Sequence, residues 1–410
     1  MNNQHVRLAD LDSLDNRLVF AGKPVDELVG IAGQTPCYIY DRQQICQRIS
    51  SLKQQLPQEI ELHYAIKANP MPAVVHCVAP QVDGLDVASH KELLLALSTG
   101  IAPERISCAG PGKSIIELTA AISSGVTINV ESVTELERIY NIAHQVNKRA
   151  QVAFRVNPEF ELKSSGMKMA GGPKQFGIDS ELLPDIISCL NEDYVEWVGL
   201  HIFSGSQNLS AEALMDAHNK KFELAAQLAQ YATTPLKHIN IGGGFGIPYF
   251  SNETELEINP IANNLSRLLA TRPESLKTAK FIIELGRYLV GEAGVYLSRV
   301  TDKKISRGST YIVTDGGLHH HLANSGNFGQ VIRKNYPLLN ASRLLDFEQA
   351  SEKVEIVGPL CTPLDIIGAK VMLPRIEVGD LIAVFQSGAY GATASPQQFL
   401  SQPDIVELLI

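Results

Sequence analysis

No apolar run in the 410 residues approaches the ~18 needed for a spanning helix, so nothing in the sequence points to a membrane role. The first 14 residues are polar and charged where a secretory leader carries an apolar core, which reads as a cytoplasmic protein. Cysteine is sparse: the six (Cys37, Cys46, Cys77, Cys108, Cys189, Cys361) are scattered without a Cys-x-x-Cys pair. They read as reduced thiols, five of them core filler. Basic charge is in deficit, 35 Lys and Arg against 44 Asp and Glu, and the net charge of -9 disfavours an extended nucleic-acid footprint. Low-complexity tracts and long linkers are absent. What remains is 45% hydrophobic and 19% charged, enough for a large core and two domains.

Short apolar stretches at 61–66, 82–88, 105–109, 126–131, 151–156, 195–203, 238–241 and 281–284 predict eight strands. Helical patterns fall between most of them, at 90–97, 114–123, 134–146 and 211–231. Ser114 with Glu117, and Ser132 with Glu135, have capping-box spacing. Strand and helix alternating eight times predict a (β/α)₈ barrel. Beyond about residue 292 the pattern changes to strands at 295–300, 310–314, 353–357, 380–385 and 405–408, a separate β domain.

Catalytic groups of such barrels sit at strand C-termini, and chemistry-bearing residues lie there in this sequence. Lys67, in His63-Tyr64-Ala65-Ile66-Lys67-Ala68-Asn69-Pro70, closes the first strand just before a turn. A lysine there loses hydration, which favours the neutral amine that attacks an aldehyde; taken alone it reads first as a strand-end lysine reaching water. Asp86 ends strand two, Arg155 strand five, Phe203 and Ser206 strand six, Gly242 strand seven and Glu284 strand eight. Gly242-Gly243-Gly244-Phe245-Gly246 lets backbone N–H groups approach a phosphate, although glycine triplets also serve as plain tight turns.

The Lys67 segment, the glycine loop, Glu284-Leu285-Gly286-Arg287, Cys361 with Asp365, and Gly388-Ala389-Tyr390 occur in the order of the fold-type III pyridoxal-phosphate decarboxylases. The chain resembles that family, which includes diaminopimelate and ornithine decarboxylases, over nearly its whole length. The resemblance implies an alanine racemase-like barrel, pyridoxal 5'-phosphate as cofactor, and Lys67 as its Schiff-base lysine. It also implies a strand at 18–20 joining the β domain, and with it a barrel at 34–278 inserted in a β-rich domain of 1–33 and 279–410. It assigns the cofactor to Lys67, Asp86, Arg155, Phe203, Ser206, Gly242, Gly243, Gly244, Glu284, Gly286, Arg287 and Tyr390. Glu284 would face the pyridine nitrogen and keep the ring protonated, deepening the electron sink that decarboxylation needs. Racemases of this fold carry an arginine there. Cys361 or the freed Lys67 would return the proton to the α-carbon, and related enzymes bring this cysteine from a partner subunit, implying a homodimer with shared active sites.

Departures from the family bear on the substrate. The acid that pairs with a distal substrate ammonium is replaced by Thr362, leaving Asp365 to substitute. The Arg-x-x-x-Tyr segment is replaced by a stretch with Arg333 and Tyr336 three apart. Phe203 stands where a stacking histidine is common, with His201 two residues earlier on the same strand face. His319-His320-His321 point to alternating faces without an acidic or cysteine partner nearby, which gives no metal site; one of them or Asn324 is left to line a substrate entrance. The segments at 201–208, 315–321 and 361–365 are similar to a branch associated with exopolysaccharide and exosortase loci and with decarboxylation of a glutamyl group on an acyl carrier protein. The reading is α-decarboxylation of an amino acid or amino-acid derivative, with catalytic Lys67, Glu284 and Cys361 and substrate-side His201, Arg333, Tyr336, Thr362 and Asp365. Its alternatives are diaminopimelate decarboxylase proper, a siderophore-pathway or D-amino-acid decarboxylase, and a non-catalytic cofactor-binding homologue.

Overall fold

The computed structural model describes residues 5, 8, 11–161, 167–168, 170–330, 332–344 and 351–410. Two compact units emerge, one of Cys46–Ile247 and Glu255–Leu289, the other of Met1–Ile45, Pro248–Thr254 and Val290–Ile410.

The first is a barrel of eight parallel strands: β1 (Ile60–Ala65), β2 (Gly84–Val87), β3 (Ile106–Cys108), β4 (Thr127–Val130), β5 (Ala150–Asn157), β6 (Val195–His201), β7 (His238–Gly243) and β8 (Lys280–Leu285). Each pairs with the next. β8 then pairs back onto β1, with Glu284 opposite His63 and Leu285 opposite Tyr64, so no edge is left open. The strands lie at the eight places expected, and the last lies beyond residue 278 because closure on β1 requires it.

Outside lie α1 (Arg42–Gln55), α2 (Pro72–Val78), α3 (His90–Ser98), α4 (Ile115–Ser124), α5 (Val133–Val146), α6 (Leu183–Ser188), α7 (Ala211–Leu228) and α8 (Ile258–Thr271). β2 and β4 are buried at every position, as strands covered by helices on one face and by the barrel interior on the other must be. Ser114 and Glu117 close a full capping box on α4, and Gly125 ends that helix at φ 84°. Ser132 caps α5, but Glu135 turns to the Glu131 amide (2.7 Å) and Lys113 (2.8 Å) instead of completing a box. α7 stacks Phe222 flat on Phe281 of β8, ring centroids 4.2 Å apart.

The second unit contains an eight-stranded sheet. Its strands are β9 (Gly294–Ser306), β10 (Ser309–Thr314), β11 (Leu338–Asn340), β12 (Ser351–Val357), β13 (Ile366–Pro374), β14 (Leu381–Val384), β15 (Val406–Leu409) and Cys37–Tyr40. The path runs β11-β14-β9-β10-β12-β13, with Cys37–Tyr40 between β9 and β15. β11 and β13 escape the sequence pattern: one has three residues, and the other is broken by Gly368 and by Lys370 at φ 53°. The segment expected at 18–20 is a strand of this unit, its Leu18 amide donating to the Ala341 carbonyl (2.8 Å), and it pairs in a smaller sheet. Asp15 and Asn16 both take positive φ, a tight turn that folds Arg17–Phe20 back on Ser13–Leu14 in a small sheet of its own. The buried run Cys37–Tyr40 pairs with β9.

Burial disfavours the charged form of several barrel bases. It lowers His218 to about 3 and Lys221 to about 7. For His238, lowered to about 4, burial is reinforced by the neighbouring His63, Lys237 and Lys280. An unfolded chain binds protons at His218 and His238 from pH 6.5 downward, while the fold resists until about 3 to 4, so acidification across that window destabilises the fold. For Lys221 the unfolded state binds the extra proton between 7 and 10.5, so this group makes stability rise with pH there. Urea midpoints measured from pH 4 to 10 are expected to show the acid-side loss, and Lys221→Met is expected to flatten its share of the alkaline rise.

Candidate active site

Lys67 follows β1 in the single helical turn Ile66–Ala68. Asn69 stops the turn, its side chain accepting from the Met71 amide (3.1 Å) and its carbonyl from the Tyr64 hydroxyl (2.9 Å). The lysine side chain is 41% exposed, open to a reactant, while its Nζ lies 3.5 Å from Oε1 of Glu284, whose side chain is 5% exposed. The other carboxylate oxygen, Oε2, lies 3.1 Å from His201 Nε2. Burial pushes the Glu284 carboxyl up, but the Lys67 ammonium and the His201 hydrogen bond outweigh it and hold the group well below the usual carboxylate range. Phe203 faces the lysine, with Nζ 5.6 Å from its ring centroid, and its ring stacks with His201 at 6.3 Å.

Neighbouring strands complete this end of the barrel. Asp86 on β2 accepts from the Ser107 hydroxyl and stands 3.6 Å from His63 Nδ1. Arg155 on β5 donates to Glu131 at 2.9 Å and lies 4.8 Å over the Phe176 ring. Glu131 also accepts from the Gly110 (2.6 Å) and Gly177 (3.2 Å) amides; burial raises it, but Arg155 and Lys113 prevail and keep it low. The only sign of Glu131 in the sequence is its place at the end of the fourth apolar stretch.

At the end of β7, Gly242 and Gly244 adopt φ of 69° and 92°, where side chains are strained. A Cβ on Gly243 would sit 1.9 Å from the Glu284 carbonyl oxygen. The loop is laced to the segment after β6: the Asn208 amide donates to Gly244 O (2.8 Å) and the Gly246 amide to Asn208 O (2.9 Å). Lys221, buried on α7, donates to the Ile241 carbonyl at 2.7 Å. Ser206 Oγ, two residues before Asn208, is buried without a protein partner among the described residues. Gly286 packs against the lysine turn, since a Cβ there would lie 2.7 Å from Ala68 Cβ, and Arg287 follows at the start of a short helical turn.

Thus Lys67, Asp86, Arg155, His201, Phe203, Ser206, Gly242, Gly243, Gly244, Glu284, Gly286 and Arg287 belong to the barrel. His201 is buried and turned onto Glu284 rather than standing open to a substrate.

Cys361, Thr362, Asp365, Arg333, Tyr336 and Tyr390 belong to the β unit. Cys361 is exposed. Asp365, expected as a stand-in partner for a distal ammonium, has a buried carboxylate that accepts from the Leu318 (2.6 Å) and Leu360 (2.9 Å) amides. Burial raises that carboxyl. Arg333 is likewise spent locally, on the Ser325 carbonyl (3.2 Å), Asn335 Oδ1 (2.6 Å) and the Ile366 carbonyl (3.3 Å). Tyr336 is buried beside Tyr249, Phe250 and His321. Tyr390 sits at φ 53° after Gly388, where a Cβ would meet the Val290 carbonyl at 1.8 Å. The three histidines are buried, His320 bonding to the Pro403 carbonyl (2.9 Å) and His321 to the Ser387 hydroxyl (2.9 Å).

Residues 42–291, more than half of the chain, match the family described as pyridoxal-dependent decarboxylase, pyridoxal binding domain. The chain belongs to this family. The decarboxylase is 37% identical over 380 residues to the L-glutamyl-[BtrI acyl-carrier protein] decarboxylase of Niallia circulans, covering 92% of this chain and 89% of the relative. It is 32% identical over 407 residues to the diaminopimelate decarboxylase of Aquifex aeolicus, with 98% and 92% covered. The crystal structure of the diaminopimelate decarboxylase of M. jannaschi superposes with a TM-score of 0.88 at 26% identity, over 98% and 93% of the two chains.

Pyridoxal 5'-phosphate is the cofactor of the decarboxylase, and the barrel's residues fit it. An accessible lysine beside a buried anionic carboxylate, a glycine loop whose Cβ space is closed by backbone, and a hydroxyl with no protein partner match an aldehyde, a ring and a phosphate. Gly243→Ala must displace the Glu284 carbonyl, with an expected stability loss of about 1–3 kcal/mol and weaker cofactor retention. Thermal denaturation and equilibrium dialysis against the cofactor measure both.

Proposed function

We propose that the decarboxylase removes the α-carboxylate of an amino-acid residue joined at its far end to a larger group, a glutamyl group on an acyl carrier protein being the leading case. The observation that carries this reading is Asp365. The family's distal-ammonium acid is Thr362 here, and the nearby carboxylate that could replace it is buried and committed to the Leu318 and Leu360 amides. A free diamino acid would bring an ammonium with no charge partner on this loop. Two relatives support the same direction by name. One acts on an L-glutamyl acyl-carrier protein, and another, 32% identical over 391 residues, on 2-[(L-alanin-3-ylcarbamoyl)methyl]-2-hydroxybutanedioate.

When bound, pyridoxal phosphate supplies an electron sink for the pair released as CO₂ leaves. The backbone N–H groups of Gly242, Gly243 and Gly244 with Ser206 would hold its phosphate, joined by Arg287 and Tyr390, and Lys67 Nζ would carry its aldehyde carbon. Asp86, Arg155, Phe203 and Gly286 would frame the ring. Glu284, kept anionic by Lys67 and His201, is suited to hold a proton at the ring nitrogen. Lys67 Nζ, 3.5 Å from Glu284 Oε1, would also be placed to hold and deliver a proton at the reacting end of the barrel. Cys361 is an exposed thiol on the loop that Asp365 shapes, and as proton donor to the α-carbon it would act at Sγ. The enzyme would work in the cytoplasm as a homodimer with shared active sites.

The test is CO₂ release by the cofactor-loaded enzyme from free L- and D-amino acids, meso-diaminopimelate and carrier-linked glutamate. Release from the carrier-linked compound is expected, abolished by Lys67→Ala and reduced roughly 100-fold or more by Glu284→Gln. Efficient turnover of free meso-diaminopimelate would instead make it a diaminopimelate decarboxylase, the reading its Aquifex aeolicus relative favours.

A further inference from the structure

Cys46 and Cys77 are 31 residues apart in the chain, yet the fold brings their sulfurs to 3.9 Å. Cys46 lies on α1 and Cys77 near the end of α2, the helices flanking β1 and the Lys67 turn. Both thiols are half-buried, so a small reactant reaches them. The Gln81 amide sits over the pair, with Nε2 3.2 Å from Cys46 Sγ, 3.9 Å from Cys77 Sγ and 2.7 Å from the Cys77 carbonyl. Of the remaining cysteines, Cys37 and Cys108 are buried, and burial pushes their thiols up to about 12 and about 11. Cys189 and Cys361 are exposed, on separate units. The pair is therefore the one place among the described residues where two accessible thiols face each other.

A disulfide needs its sulfurs at about 2.05 Å, a closure of roughly 2 Å that side-chain rotation on two neighbouring helices supplies. From this juxtaposition we infer that Cys46 and Cys77 form a reversible dithiol–disulfide site that responds to small-molecule disulfides and ties α1 to α2 when oxidised. The exchange balances without a metal or oxygen. One cysteine, as thiolate, attacks a disulfide such as glutathione disulfide; a mixed disulfide forms and one glutathione leaves. The second thiolate attacks the protein sulfur of that mixed disulfide; the Cys46–Cys77 bond forms and the second glutathione departs. Two protons are lost from the protein thiols and taken up by the two glutathione thiolates.

Oxidation has a mechanical consequence for the first βα unit. α2 is a helix of seven residues without a side-chain cap, joined to the lysine turn only through Asn69, Pro70 and Met71. Fastening its end to α1 restrains local opening of the segment that follows Lys67. The site is independent of which substrate the enzyme takes.

The experiment treats the cofactor-loaded enzyme with glutathione disulfide, quenches with an alkylating agent and maps peptides without reduction. A peptide linking Cys46 to Cys77 is expected, with two fewer alkylated thiols per chain and reversal by dithiothreitol. Cys46→Ser and Cys77→Ser should each abolish the link and leave glutathione on the remaining partner. Amide exchange across 72–81 should be slower in the linked protein. Treatment that modifies exposed Cys189 and Cys361 but leaves Cys46 and Cys77 both free would overturn the site. A linked protein exchanging across 72–81 as fast as the reduced one would overturn the restraint.

Discussion

Closure of β8 onto β1 is the constraint on which the site depends. These strands lie some 220 residues apart in the chain, and their parallel pairing sets Glu284 beside His63 and Leu285 beside Tyr64. That register carries the Glu284 carboxylate to within 3.5 Å of Lys67 Nζ, one turn past the end of β1. A shift by one residue would turn Glu284 to the other face of its strand and separate the pair. The glycine loop depends on the same closure, because Gly243 packs on the Glu284 carbonyl with no room for a side chain.

Around this seam the barrel manages buried charge by pairing. Glu284 is held ionised against its own desolvation by Lys67 and His201, and Glu131 by Arg155 and Lys113. Each of these two carboxylates has two or more partners, the condition under which burying a charge is tolerable. Lys221 shows the other solution. It has one carbonyl partner, Ile241, and drops to about 7, so that near neutrality it is only partly charged. In the β unit, Asp365 is raised by burial even though two backbone amides support it, and it serves loop geometry.

Much of the fold was legible because parallel strands covered on both faces must be short apolar runs, and their helices announce themselves through caps such as Ser114 and Ser132. Lys67 and Glu284 were legible as polar residues ending such runs, and the glycine loop as a cluster suited to a tight turn or to close approach of backbone N–H groups to a phosphate. What escaped detection depended on contacts between distant parts of the chain. Glu131 gains meaning only when Arg155 arrives from the next strand, and His201, nominated from sequence for the substrate, shows its bond to Glu284 only when that residue arrives from across the barrel. Cys46 and Cys77 carry no spacing signal, since their approach depends on two helices lying side by side. At 13–24 the turn at Asp15 and Asn16 gives the strand at 17–20 a small sheet within the β unit, and it is Cys37–Tyr40 that pairs with β9.

By itself the sequence determined the fold class, through strand-length apolar runs alternating with helices, while the cofactor and the reaction class were legible through the ordered motifs by which the chain resembles the fold-type III decarboxylases. Tertiary structure alone decided which of the nominated side chains have free chemistry to offer. Asp365, Arg333 and Tyr336 read as substrate-side groups in one dimension; in three, Asp365 accepts two backbone amides, Arg333 donates to carbonyls and Asn335, and Tyr336 packs among aromatic rings. The physical reason is that a polar atom's availability depends on what desolvates and bonds it, and those partners come from elsewhere in the chain.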